Sequence, residues 1–442
     1  MQYYHAILFL LAIAIALSAI APKIKIPYPV LLMVSGILVG FVPGIHYVPI
    51  DPDVVFLIFL PPLLYDAAVN MPFKEFKANF QTISMMAVTL VFISMTAIAL
   101  VTRFLIPDIS WSMAFVIGAI LSPPDAVAAS GITKSLNLSH RTNTILEGES
   151  LINDASALTA YRVALGVATG GIFSIRSAGL EFVVTILGGC LVGGLIAMFF
   201  NYIVSKVKME STAIVSFNLI LPFFCYQLAE EFHVSGVLAV VFMGILIAKE
   251  IHKNKLLSDV TRVQEKSVWA TLIYLLSGLV FILIGLEFPQ VLKEIPHSSI
   301  IPLVISAFAI FAIALFIRIV IIFRHKFKLD KIVSIAQNDH YNKKLSPRYM
   351  KRIKEVKSIT WKDALIIGWS GMRGIVSVAT AIALPMTMDN GEVFEQRNSI
   401  IFLTVLVVIL MLVIQGLGLP LLIKWLKIEN NEMKIDQEKS VI

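Results

Sequence analysis

Charged side chains make up only 15% of the 442 residues, and cysteine occurs twice. Soluble domains carry about one quarter charged residues, so a shortfall of this size excludes a cytosolic enzyme and a nucleic-acid-binding domain. Two cysteines cannot staple a secreted scaffold; Cys190 and Cys225 lie in apolar runs, where packing accounts for them. What the chain does have is apolar surface: 58% hydrophobic residues and a mean hydropathy of +0.86. These residues fall in blocks of roughly 17 to 25, the length a helix needs to cross a bilayer. The chain therefore reads as an all-α, multi-pass integral membrane protein. Its net charge of +7 becomes a question of topology, with no acidic ligand required.

Thirteen apolar blocks lie between charged or Pro/Gly-rich breaks, near residues 5–20, 28–44, 54–70, 81–105, 111–130, 142–169, 178–204, 212–229, 234–248, 269–287, 299–323, 362–386 and 399–423. Residues 1–5 hold no Lys or Arg, so the first block lacks the basic flank of a cleaved signal and reads as a retained helix. If the loops alternate sides, 29 of the 36 Lys and Arg fall on one side, twelve of them between Arg324 and Lys362. Only Arg103, Arg176, Lys293 and Arg397 fall on the other, and Arg162, Arg318 and Arg373 lie inside helices. The positive-inside rule then sets the N-terminus outside and the C-terminus in the cytoplasm of a plasma or inner membrane. The basic loop 324–361 reads either as a topological anchor or as a site for anionic lipid or a regulatory partner.

Two blocks should not be continuous helices. In the fifth, Pro123 and Pro124 remove two backbone donors near mid-membrane. In the twelfth, Gly368, Gly371 and Gly374 recur every third residue, with Ser370 between them. Backbone groups freed in hydrocarbon must be satisfied or must line a polar cavity. The two blocks are seven apart in order, which suggests two inverted six-span repeats joined by one linking span. Matched interrupted helices in inverted halves point to a transporter with a midplane site.

A charge at a helix centre costs about 2.5–3.5 kcal/mol on insertion scales, yet this chain places Asp66, Asp125, Glu147, Glu149, Asp154, Arg162 and Arg373 at membrane depth, a sum on the order of 15 kcal/mol before pairing. Along the sixth block, Glu147, Ser150 and Asp154 share one helical face by i, i+3, i+7 spacing, and Glu149 and Asn153 share another. One face offers the carboxylate and hydroxyl oxygens that a dehydrated small cation requires; the other can pair with a fixed positive charge such as Arg373. A desolvated carboxylate holds either a proton or a cation, and that competition is sufficient for exchange. Gly36, Gly40 and Gly44, and Gly189 with Gly193, have the spacing of close helix packing.

Four motifs in this order, Leu60-Pro61-Pro62-Leu63-Leu64-Tyr65-Asp66-Ala67, Pro124-Asp125-Ala126-Val127-Ala128, Glu149-Ser150-Leu151-Ile152-Asn153-Asp154 and Gly371-Met372-Arg373-Gly374, resemble the sodium/proton antiporters of the cation:proton antiporter superfamily, in the branch of NhaP-type proteins and animal sodium/proton exchangers. The resemblance implies crossed discontinuous helices and a homodimer. It assigns residues 1–75 and 211–295 to a dimerisation domain, 76–170 and 296–426 to a core that moves like an elevator, 171–210 to a linking helix and 427–442 to a short cytoplasmic tail. It makes Asp154 the cation and proton carboxylate and Ser150 a hydroxyl ligand, so that Na+ is held at Asp154 and Ser150. Asp125 shapes the site, and Asp66 approaches it from the third span. Glu149 pairs with Arg373 as a structural salt bridge, and the neutral Asn153 marks electroneutral exchange. Where relatives carry a hydroxyl, this chain has Pro124, whose carbonyl alone could serve. No cofactor is implied beyond the transported Na+ and H+. A potassium/proton antiporter uses the same acids, and a cation channel is the alternative of another class. An intramembrane aspartyl protease lacks its second Asp here, since no Gly-x-Gly-Asp occurs.

Overall fold

Helices form where apolar residues run without interruption, because a backbone in hydrocarbon can satisfy its polar groups only internally. In the computed structural model, residues 8–17, 26–42, 52–125, 138–170, 174–207, 209–254, 258–337, 358–387, 394 and 396–427 are described, and each of the thirteen apolar blocks carries helix. The elements are α1 (Leu8–Leu17), α2 (Tyr28–Gly40), α3 (Pro52–Asn70), α4 (Phe73–Leu105), α5 (Trp111–Leu121), α6 (His140–Ala168) and α7 (Ile175–Lys206). There follow α8 (Ser211–Glu231), α9 (Gly236–Asn254), α10 (Asp259–Glu294), α11 (His297–Gln337), α12 (Trp361–Trp369), α13 (Ile375–Ile382) and α14 (Arg397–Leu426). Among the described residues, seven of these helices are long and apolar enough to cross a membrane on their own: α3, α4, α7, α8, α10, α11 and α14. The long helix α6 is not in that set, since it carries Glu147, Glu149, Asp154 and Arg162.

Local sequence explains the ends and irregularities. Ser110, Ser139, Ser258 and Thr360 each accept a hydrogen bond from the N–H three residues on, so α5, α6, α10 and α12 start at capped positions. Within α3 the turn Val55–Phe59 is a π-helix, directly before Pro61 and Pro62, whose rings and missing N–H groups oppose a regular ladder. A second π segment, Met85–Leu90, interrupts α4. Helix α11 runs to Gln337, well past the expected end of its block at 323. Charge does not stop a helix: residues 324–337 contain neither Pro nor Gly, and Lys326 pairs with Asp330 one turn on. The loop expected at 324–361 is thus helical in its first part, and residues 338–357 lie outside the described residues.

Packing is closest where glycine replaces a side chain. A Cβ on Gly36 of α2 would lie 2.2 Å from the Ile282 carbonyl oxygen of α10, and one on Gly285 would lie 2.1 Å from that of Met33. The same close approach joins Gly189 and Gly193 of α7 to Ser235 and Ala239, and Gly40 meets Pro289; Gly44 lies outside the described residues. Helices α4, α5, α6, α11, α12, α13 and α14 pack around the two interrupted blocks. The first interruption begins after Leu121; the second separates Trp369 from Ile375. The rest of the fifth block, 126–130, lies outside the described residues.

Candidate functional site

The two interruptions meet. The Asp125 N–H donates to the Met372 carbonyl at 2.7 Å, so unwound backbone from one half of the chain closes on unwound backbone from the other. Gly374 makes the crossing possible: a Cβ there would sit 1.5 Å from Asp125 Oδ2. Arg373 reaches across the junction, its Nε donating to the Leu121 carbonyl at 2.8 Å and its Nη1 to the Gly371 carbonyl. These are groups that lost their helical partners at the prolines and glycines, and side chains now satisfy them.

Helix α6 presses its polar faces onto this crossing. Asn153 Nδ2 donates to the Pro124 carbonyl at 2.9 Å and Ser150 Oγ to the same oxygen at 3.4 Å. Asp154, one turn past Ser150, is 5% exposed, with half-buried Asp125 within electrostatic reach. Among the described residues no hydrogen bond or ion pair ends on the Asp154 carboxylate, and Asn153 Oδ1 is buried without a partner. The structure therefore brings Asp154, Ser150, Asn153, Pro124, Asp125 and Arg373 around one crossing point. Carboxylate, hydroxyl, amide and carbonyl oxygens there form a hard donor set suited to a small cation or a proton.

The expected Glu149–Arg373 salt bridge is not what forms. Glu149 is held by Arg318 of α11 through two parallel bonds, Nη1 to Oε1 at 2.5 Å and Nη2 to Oε2 at 2.6 Å, with both side chains at most 3% exposed. Arg318 Nε also donates to the Ile367 carbonyl of α12 at 3.1 Å. The geometry explains the choice: Arg373 is committed to backbone carbonyls, and the missing side chain of Gly371 leaves room for Arg318, whose Cδ would be 2.5 Å from a Cβ at that position. Sequence reasoning left Arg318 outside the site, although a lone arginine within the apolar block 299–323 carries the same insertion cost as the acids it singled out.

Asp66 lies half-buried on α3, which packs on α6, and accepts from Asn70 Nδ2 at 2.9 Å. Beside it runs an unforeseen buried chain: Tyr65 Oη donates to Asn218 Oδ1 at 2.5 Å, and Asn218 Nδ2 donates to Glu265. Arg162, another of the charges at membrane depth, pairs with Glu230 of α8 at 2.7 Å. At the start of α6, Arg141 bonds Asn79 and the Ser358 carbonyl, Thr142 bonds Asp363 at 2.9 Å and Thr144 bonds Glu75 at 3.0 Å, tying α4, α6 and α12 together. Burial pulls the Arg141 guanidinium below its ordinary pKa, and the Asp363 carboxylate offsets part of that.

Comparison with known proteins identifies the family and the fold. The profile of the family described as sodium/hydrogen exchanger, transmembrane, matches residues 8–425. An uncharacterised Na+/H+ exchanger of Mycobacterium tuberculosis is 29% identical over 452 residues, covering 98% of this chain and 77% of that protein. A sodium, potassium, lithium and rubidium/H+ antiporter of Bacillus subtilis is 31% identical over 431 residues, covering 96% of this chain and 62% of its own length. The solved structure of the sodium proton antiporter MjNhaP1 from Methanocaldococcus jannaschii superposes with a TM-score of 0.68 at 18% identity, over 96% of this chain and 98% of that one.

Proposed function

The chain belongs to the sodium/hydrogen exchanger family, and from that premise we propose that it exchanges cytoplasmic Na+, and Li+, for external H+ at the Asp154 carboxylate. It is a multi-pass membrane transporter of the antiporter fold, and not an enzyme. The observation that carries the reading is a buried carboxylate beside crossed, unwound backbone, with its neighbouring acid Glu149 already neutralised by Arg318. Asp154 is then the acid left to hold a counter-ion. In hydrocarbon it must take either a proton or a cation, and Ser150 and the Pro124 carbonyl supply further oxygens when the cation sheds water.

Coupling follows from mutual exclusion. A loaded site is neutral and can move; an empty, charged site pays desolvation and stays. In this reading the core, residues 76–170 and 296–426, carries the site past a dimerisation domain, residues 1–75 and 211–295, in a homodimer with the N-terminus outside the plasma or inner membrane and the C-terminus in the cytoplasm. Anionic lipid binds at the basic segment 324–361. The neutral Asn153 leaves one exchangeable charge and hence electroneutral turnover. A second reading, potassium/proton exchange at the same acids, is favoured by the likeness to the sodium, potassium, lithium and rubidium/H+ antiporter of Bacillus subtilis.

The test uses inverted vesicles with a pH-sensitive dye. Added Na+ should dissipate an acid interior, and Asp154→Asn should abolish the response while the protein still inserts. Normal exchange by Asp154→Asn would sink the assignment, and a response to K+ equal to that for Na+ would select the second reading.

A further inference from the structure

The polar face of α6 does not end at Asp154. Glu147, Ser150 and Asp154 continue by the same helical spacing to Ala157 and then Tyr161, about 10 Å beyond Asp154 along the axis. Tyr161 is 8% exposed, and its hydroxyl is buried without a hydrogen-bond partner among the described residues. A buried phenol normally finds a partner, so an unpartnered one calls for an explanation.

That side chain faces a small cavity lined also by Pro123 of the first interruption, Ala157 of α6, and Val376 and Thr380 of α13. Its free volume of ≈ 10 Å³ is about what one water molecule needs. Thr380 Oγ1 donates to the Val376 carbonyl at 2.6 Å and keeps lone pairs for a further donor. Arg397 of α14 lies within electrostatic reach of Tyr161 and is held by the Ile382 and Leu384 carbonyls at 2.7 and 2.8 Å.

We propose that Tyr161 lines the outer half of the ion pathway: its hydroxyl and Thr380 hold a water in this cavity, and when the path opens outward they replace water around the cation leaving Asp154. Room for one water excludes a hydrated cation from this cavity in the conformation described. Arg397 adds a positive charge at the far side, which favours release over rebinding. The inference rests on the exchange reading above and adds a residue and a direction to it.

The experiment measures Na+/H+ exchange in vesicles of both orientations, so that Na+ is varied separately on each face of the protein. Tyr161→Phe keeps the ring and removes one hydroxyl. It should raise the half-saturating Na+ concentration on the outer face about fivefold, the factor one hydrogen bond supplies, and leave the cytoplasmic value unchanged. In a chain whose Cys190 and Cys225 are replaced by Ala, Tyr161→Cys should react with an impermeant, cationic methanethiosulfonate from the outer face only, and the reaction should block exchange. Unchanged half-saturation on both faces for Tyr161→Phe overturns the proposal, as does labelling from the cytoplasmic face or no labelling from outside. Wild-type protein that exchanges no Na+ while correctly inserted overturns the exchange reading itself, a result distinct from a failure at Tyr161.

Discussion

Removing one partner of the Glu149–Arg318 pair leaves a buried charge uncompensated. Both side chains are at most 3% exposed and joined by two bonds of 2.5 and 2.6 Å, so the loss should approach the 3–5 kcal/mol typical of breaking a buried pair. With an unfolding entropy of about 2.1 cal/mol/K per residue, that figure corresponds to a fall in midpoint on the order of 3–5 °C for a chain of this length. Glu149→Gln and Arg318→Gln should each show it in a thermal-shift assay on detergent-solubilised protein, scanned at one fixed rate. The double variant removes both charges and should recover most of the loss, giving a strongly non-additive cycle. Crossing Glu149→Gln with Arg373→Gln instead should give a much smaller coupling, since Arg373 hydrogen-bonds the Leu121 and Gly371 carbonyls and meets Glu149 only through space. The reasoning is refuted if the Arg373 cycle shows the large coupling and the Arg318 cycle is additive.

Three further outcomes follow from the geometry. Gly374→Ala places a Cβ 1.5 Å from Asp125 Oδ2, so it should force the crossing apart; membrane yield and exchange should fall together, and a fully active Gly374→Ala protein would contradict the contact. Asn153→Asp replaces the donor to the Pro124 carbonyl with a second titratable charge, and exchange should then respond to an imposed membrane potential where the wild type does not, as potassium-diffusion clamping of vesicles would reveal. Arg162 and Glu230 are partly exposed, so Arg162→Gln should change stability by no more than about 1 kcal/mol. Because the pair joins α6 to α8, however, its removal should alter the turnover rate measurably, and an unchanged rate at low salt would show that the contact is passive.

Sequence periodicity located the helices because hydrocarbon enforces them, and it located the interruptions because Pro123, Pro124 and the glycines around 371 cannot continue a ladder. It also sorted the faces of α6, since spacing within one helix fixes which side chains share a side. It could not say which helix lies opposite a given face. Glu149 finds its partner 169 residues away on α11, and nothing in the local pattern distinguishes Arg318 from Arg373 as that partner. The extension of α11 to Gln337 was hidden for another reason: basic residues mark where a chain leaves the bilayer, whereas helix propensity is indifferent to that boundary. The chain Tyr65–Asn218–Glu265 was hidden because its members lie in three separate segments and meet only when α3, α8 and α10 are packed.

The bond from the Asp125 N–H to the Met372 carbonyl also sets an order of assembly. About 250 residues separate the two, so at 5–20 residues per second the first interruption waits on the order of ten seconds or more for the second to be synthesised. Through that interval the Asp125 donor and the Leu121 acceptor must find temporary partners in water, lipid headgroups or the insertion machinery. The candidate site consequently cannot form until the second interruption has been synthesised. A nascent or truncated chain that stops short of residue 372 has its acids in the membrane but cannot assemble the crossing that positions them.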